Sequence, residues 1–268
     1  MTLLRQQAKA EGLTLLVWGL ILGGLLLYTT TMWKMLIDSD GMEAIVSMLE
    51  AMPPAMQAII GGGGSLLTID GWVTAYSFGQ WLMIPYLVFT GLFATSIISR
   101  EMDRRTMEFL LSLPTSRAEI ILFRWAGMAI GLAVLLALHL LGTLAGIWLI
   151  GETAAVGNYL VAELNLWLLL LAMGTLFLLI SVFIDDYGRA VGVTLGIGFA
   201  FFFAHIGTEG QSGAAERVRG LLPFAQFRPD VAITDGAVPY GALLYLAVMT
   251  LAALLLSVYL FQRKQISV

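Results

Sequence analysis

The fold class this sequence predicts is an all-α polytopic membrane protein with six transmembrane helices, and three observations predict it. Hydrophobic residues make up 59% of the 268 and charged residues only 12%, about half the ~25% carried by a soluble domain. The apolar residues gather into six runs, near or above the roughly 20 residues that cross a hydrocarbon core. The runs are continuous rather than alternating, which excludes a transmembrane barrel. Lipid satisfies no backbone polar group, so such runs must be helices.

All six runs fall in a single transmembrane domain, 1–268. The first, about 13–36, is too long for a signal-peptide core and has no small-residue cleavage site behind it, so it reads as a retained anchor. The second spans about 73–99. Between them, loop 37–72 carries Met42, Ile45, Val46, Leu49, Met52, Met56, Ile59 and Ile60 near a helical period. That predicts an amphipathic helix at the interface, interrupted at Pro53-Pro54. Gly61-Gly62-Gly63-Gly64-Ser65 then reads as a flexible joint, and Gly71-Trp72 as a return to the bilayer through an interfacial aromatic. The third run, about 120–150, exceeds one straight crossing, so its first turns are expected to stand clear of lipid. Tight hairpins at 151–158 and 185–187 lead into the fourth run, 159–184, and the fifth, 188–206. Loop 207–239 holds Leu221-Leu222-Pro223-Phe224-Ala225-Gln226-Phe227, apolar enough to dip back toward the membrane before the sixth run, 240–261.

Charge orients this plan. With both termini cytoplasmic, the inner face carries Arg5, Lys9, Arg100, Arg104, Arg105, Arg117, Arg124, Arg189, Arg263 and Lys264. The outer face carries Lys34, Arg217, Arg219 and Arg228. Ten basic residues against four is the sense the positive-inside rule demands. The acidic residues divide seven to eleven, leaving the faces at +3 and −7. The expectation is a multi-pass protein of the plasma membrane, with loops 37–72 and 207–239 outside.

Few side chains in the runs suggest chemistry. His139 and His205, the two histidines, read as packed or interfacial groups rather than as a metal or proton site. Glu163 reads as reaching outward to water, and Asp185-Asp186 as a solvated turn. Met48, Met52 and Met56 recur at i, i+4 and i+8, but with no cysteine in the chain they read as a hydrophobic stripe rather than a soft-metal site. No metal site is expected. Gly188, Gly192 and Gly196 recur every four residues, a ridge that permits close helix approach within the chain or between two copies.

The segment 100–124 is different. It begins with Arg100-Glu101-Met102-Asp103-Arg104-Arg105, and 106–113 then gives about two helical turns. Met107, Leu110 and Leu111 form an apolar stripe, with Glu108 in the first turn, where negative charge suits the helix dipole. Pro114 ends that helix. Ser116 then caps the next one, with Glu119 completing a capping box. Helix, sharp break and new helix within about 20 residues describe an elbow at the membrane mouth.

This elbow resembles the segment shared by permease subunits of ABC-2 type ATP-binding-cassette exporters. Their pattern runs Glu, then Gly-Thr-(Leu/Met)-Glu-x-Leu-Leu-(Ser/Ala)-x-Pro-(Val/Thr)-(Ser/Thr)-Arg-x-x-(Ile/Leu), then a basic residue. Glu101, Thr106, Met107, Glu108, Leu110, Leu111, Ser112, Pro114, Thr115, Ser116, Arg117, Ile120 and Arg124 fall on it. Arg105 stands where glycine is usual, and Arg124 where lysine is. The overall plan is similar too, with an N-terminal cytoplasmic helix, six spans and a Pro-Phe element before the last. The resemblance implies that the elbow contains a coupling helix docking on an ATPase subunit, with Glu101, Arg105, Thr106, Met107, Glu108, Leu110, Leu111, Pro114, Ser116 and Arg117 at or near the contact. It further implies two ATPase copies, a second copy of this chain or a homologous permease, and surrounding membrane lipids.

No phosphate loop of the form Gly-x-x-x-x-Gly-Lys-(Ser/Thr) occurs, so no cofactor is expected in this chain and ATP with magnesium would belong to the partner. No nucleic-acid partner is indicated. The apolar spans favour a hydrophobic or amphipathic cargo. Two rival readings stand: an ion-coupled secondary transporter, expected to show discontinuous helices or buried ionisable pairs near the midplane, and an accessory membrane protein that recruits a soluble partner.

Overall fold

The structure, a computed structural model, describes residues 2–39, 41–53, 66–107 and 115–265. Among the described residues every element is helical. Five helices are long and apolar enough to cross a membrane, and a bent pair counted as one span makes six. Helix α1 (Thr2–Asp38) runs unbroken from the N-terminal region through the first span. The N-terminal helix expected from the resemblance is therefore not a separate element.

Helix α2 (Gly41–Glu50) turns Met42 and Leu49 inward and ends ahead of Pro53. Met56, Ile59, Ile60 and the Gly61–Gly64 joint lie outside the described residues. Trp72 packs inside the protein rather than lying open to the bilayer. It is buried in helix α3 (Ile69–Tyr76) and donates its indole N–H to the Thr29 carbonyl of α1 at 3.0 Å.

The second span is broken. Helix α3 stops at Tyr76, residues 77–79 form a turn, and helix α4 (Gln80–Ser96) resumes at an angle of 43°. Gly79 explains the position of the break: a Cβ there would lie 1.8 Å from the Ala75 carbonyl oxygen, so only glycine fits. Helix α5 (Ser99–Asp103) then leads into the elbow.

Helices α6 (Arg117–Leu149) and α7 (Val156–Ser181) form the third and fourth spans, α8 (Tyr187–Gly207) the fifth and α11 (Tyr240–Arg263) the last. The fourth span is the centre. Two thirds of its most apolar stretch is buried, against 22% for the first span and 28% for the last. Leu166, Leu169, Met173 and Phe177 pack inward from it, while Leu13, Leu16 and Leu20 on α1 and Leu244, Leu251 and Leu255 on α11 point outward. Apolar side chains turned away from the core are what a lipid solvent permits.

Helices α1 and α6 approach most closely. A Cβ on Gly142 would lie 2.1 Å from the Gly23 carbonyl oxygen, one on Gly146 would lie 2.7 Å from the Thr30 Cβ, and one on Gly19 would strike Leu138. These four glycines, spaced i, i+4 on each helix, form the small-residue ridge of the molecule.

The loop before the last span does fold back onto the bundle. Helix α9 (Ala214–Gly220), a 3-10 turn (Pro223–Gln226) and helix α10 (Pro229–Ile233) place Phe224 against Phe202, with ring centroids 5.5 Å apart. Asn165 of α7 fastens the segment: its amide donates to the Gln226 carbonyl at 3.0 Å and accepts from the Arg228 backbone N–H at 2.8 Å.

Candidate functional site

The elbow joins one end of the bundle, where Arg100, Arg104, Arg105, Arg117, Arg124 and Lys264 collect. Its incoming stem is held by Glu101. One carboxylate oxygen accepts from Arg124 of α6 at 2.9 Å, and the other accepts from the Thr106 hydroxyl. The Glu101 carbonyl accepts from the Thr106 backbone N–H at 2.9 Å. Arg124 also donates to the Ile97 carbonyl at 3.1 Å, which closes the stem onto the end of α4. One residue earlier, Arg100 donates to Glu11 of α1 and to the Tyr187 hydroxyl of α8, each at 2.9 Å. Burial disfavours the charge on Arg100, but these partners outweigh it and raise its pKa above the ordinary value. Beside them lies a cavity of about 230 Å³ lined by Glu11, Trp18, Phe89, Phe93, Arg100 and Tyr187.

The outgoing stem is held as firmly. The Ser116 hydroxyl accepts from the Glu119 N–H, and the Glu119 carboxylate accepts from the Ser116 N–H, the expected capping box. Arg117 donates to the Lys264 carbonyl at 2.6 Å, tying the start of α6 to the end of the last span. Lys264 in turn reaches the Val182 carbonyl and Asp185 in the turn between α7 and α8. Asp185 is thus a partner in an ion pair, and Asp186 caps α8 through the Arg189 N–H at 2.6 Å.

The family model described as an ABC-2 family transporter protein matches residues 35–266, a stretch that includes the whole elbow. The chain belongs to the ABC-2 transporter family. No curated protein matches it. It is accordingly the multi-pass membrane permease component of an ABC transporter, in a family whose membrane component lacks an ATPase domain of its own.

For this ABC-2 permease, the structure brings Glu101, Thr106 and Arg124 into one knot and buries Met107. Glu108, Leu110, Leu111 and Pro114 lie outside the described residues. Arg105 has φ +56°, the left-handed region. That conformation costs an L-residue about 1–2 kcal/mol, a physical reason for the glycine usual at this point in the family pattern.

Among the described residues the other expected ridge makes no contact with another helix. A Cβ on Gly192 or Gly196 would meet nothing within 4 Å, and one on Gly188 would meet only the Asp186 side chain. The same spacing occurs at Gly19, Gly23, Gly142 and Gly146, where it does mark a contact.

One polar group in the spans also differs from expectation. Glu163 does not reach water: it is 7% exposed, and its carboxylate meets Nδ1 of His139, which is fully buried. The other ring nitrogen, Nε2, lies 2.8 Å from the Ser77 carbonyl in the break of the second span. Sequence spacing held a signal for this pair, since the two residues sit at similar distances on either side of the α6–α7 turn.

Proposed function

We propose that this permease is the bilayer-embedded half of an ATP-driven exporter, that residues 100–124 face the cytoplasm, and that they receive the closing motion of two separate ATPase subunits. The observation that carries this reading is the attachment of both elbow stems. Glu101 and Arg100 link the incoming stem to α1, α6 and α8, and Arg117 links the outgoing stem to the end of α11. A push on the elbow is therefore delivered to several spans together rather than absorbed in one loop. Two discrete arrangements of such a network are what a transport cycle requires.

The permease works as a pair, with a second copy or a homologous subunit. The cargo is hydrophobic or amphipathic, moved out of the cytoplasm while ATP and magnesium are held by the partner. Glu108 and Leu110 make the docking contact. The test is co-purification with an ATP-binding-cassette ATPase and ATP-driven transport by the complex in liposomes. Glu108→Arg and Leu110→Asp should abolish coupled ATP hydrolysis while the permease still folds. A complex that never forms, together with unimpaired transport by both variants, would sink the reading.

One observation favours an ion-coupled rival: the second span is discontinuous beside a buried ionisable pair. The family match weighs on the side of ATP. Transport that persists in ATP-free liposomes under an ion gradient would choose the rival.

A further inference from the structure

His139, Glu163 and the break of the second span form a junction that the exporter reading leaves unexplained. Breaking a transmembrane helix frees backbone groups that lipid cannot satisfy. Here the Ser77 carbonyl finds its partner on the neighbouring span, the Nε2 of His139 at 2.8 Å. A carbonyl only accepts, so Nε2 carries a hydrogen. The other nitrogen, Nδ1, faces the Glu163 carboxylate. If that oxygen is ionised, Nδ1 donates; if it is protonated, Nδ1 accepts. Both descriptions contain the same single proton, placed on one atom or the other.

We propose that His139 and Glu163 together bind one exchangeable proton, and that this proton clamps the third and fourth spans to the break in the second. Losing it to water breaks no covalent bond except N–H or O–H and takes the pair from neutral to anionic. It leaves two lone pairs facing each other across the contact, which must then open. The surroundings fit a group that exchanges a proton rather than a saturated structural pair. The second carboxylate oxygen of Glu163, the Ser77 hydroxyl and the Tyr86 hydroxyl are all buried and have no hydrogen-bond partner among the described residues. These are the groups a transient water needs for entry.

The titratable groups around the site are few. Tyr86 faces it from α4, with its ring centroid 5.9 Å from that of His139. Tyr159 lies one turn outward on α7 and donates to Asp70 of α3. Arg228 of the folded-back segment turns its guanidinium onto Asp230 at the surface. Phe78 closes the remaining side, edge-on to His139 at 4.8 Å and next to Phe227.

The chain has two histidines, so the full-length protein in lipid nanodiscs, labelled with ¹⁵N-histidine, reads the site directly, and His205→Asn assigns the signals. The expected result is a His139 Nδ1 signal that shifts in a single step as pH rises, and no such step in Glu163→Gln, whose amide keeps the contact without a removable proton. The folded state holds one proton more than the unfolded chain does at alkaline pH, so the unfolding midpoint should fall as pH rises. That fall should vanish in Glu163→Gln. A His139 signal indifferent to pH throughout the folded range overturns the proposal, and so do parallel midpoint curves for the two proteins. Should Glu163→Gln fail to fold, the titration in the glutamate-bearing chain decides alone. Neither measurement uses an ATPase, so failure of the coupling reading is a separate result.

Discussion

Of the carboxylates that join helices in this permease, Glu101 and Glu163 are set apart by their surroundings. Glu101 meets Arg124 at the basic end of the bundle, where the two side chains keep 23% and 15% of their surface exposed. Glu163 meets His139 inside it, where the values are 9% and 0%. The first pair shares its load with Thr106 and the Ile97 carbonyl, and water still reaches it. The second sits in a low-dielectric interior, where a polar group left without its partner finds no water to replace it. The same type of contact is thus a fastening in one place and a condition of the fold in the other.

The largest test of that contrast removes each carboxylate. Glu163→Ala strands His139 and should lower stability by about 3–5 kcal/mol, read as a drop in unfolding midpoint in detergent. Glu101→Ala should cost less, about 1–2 kcal/mol, because Arg124 keeps the Ile97 carbonyl and gains water. Equal losses would erase the distinction. Next in size is salt. Raising ionic strength from ~0.1 to ~1 M shortens the screening length from about 10 to about 3 Å. A double-mutant cycle should then show the Glu101–Arg124 coupling shrinking while the Glu163–His139 coupling stays constant.

Smaller effects sharpen the basic end alone. Ser116→Ala removes the cap of α6 and should cost about 1 kcal/mol. Arg105→Gly should leave stability near its starting value, since relief of the left-handed strain offsets the greater freedom of glycine when unfolded. Arg105→Val should cost about 1–2 kcal/mol. A neutral Arg105→Val, measured by the same unfolding midpoint, would mean that the turn at 104–106 relaxes easily.

The basic end was the more legible of the two regions. Ser116, Glu119 and Pro114 act through neighbours three or four residues away, so their spacing alone predicts a cap and a break, and the cap is present. The elbow motif was equally local. Glu163 misled because its position near the end of a span suggested water, and only the antiparallel packing of α6 against α7 put His139 within reach. The glycines make the same point. Gly188, Gly192 and Gly196 carry the spacing of a packing ridge yet meet no other helix among the described residues, while Gly19, Gly23, Gly142 and Gly146 each lie against the facing helix of the α1–α6 pair.

By itself, the sequence determined that this protein lives in a membrane, how many times its chain is able to cross, and where the cap of α6 falls. Those properties depend on hydropathy over a window and on turn chemistry over a few residues. Only the tertiary structure decided which glycines touch, that the second span bends at Gly79, and that Glu163 is sealed against His139. Each of these depends on which helix faces which, and that is set by side-chain packing summed over residues far apart in the chain.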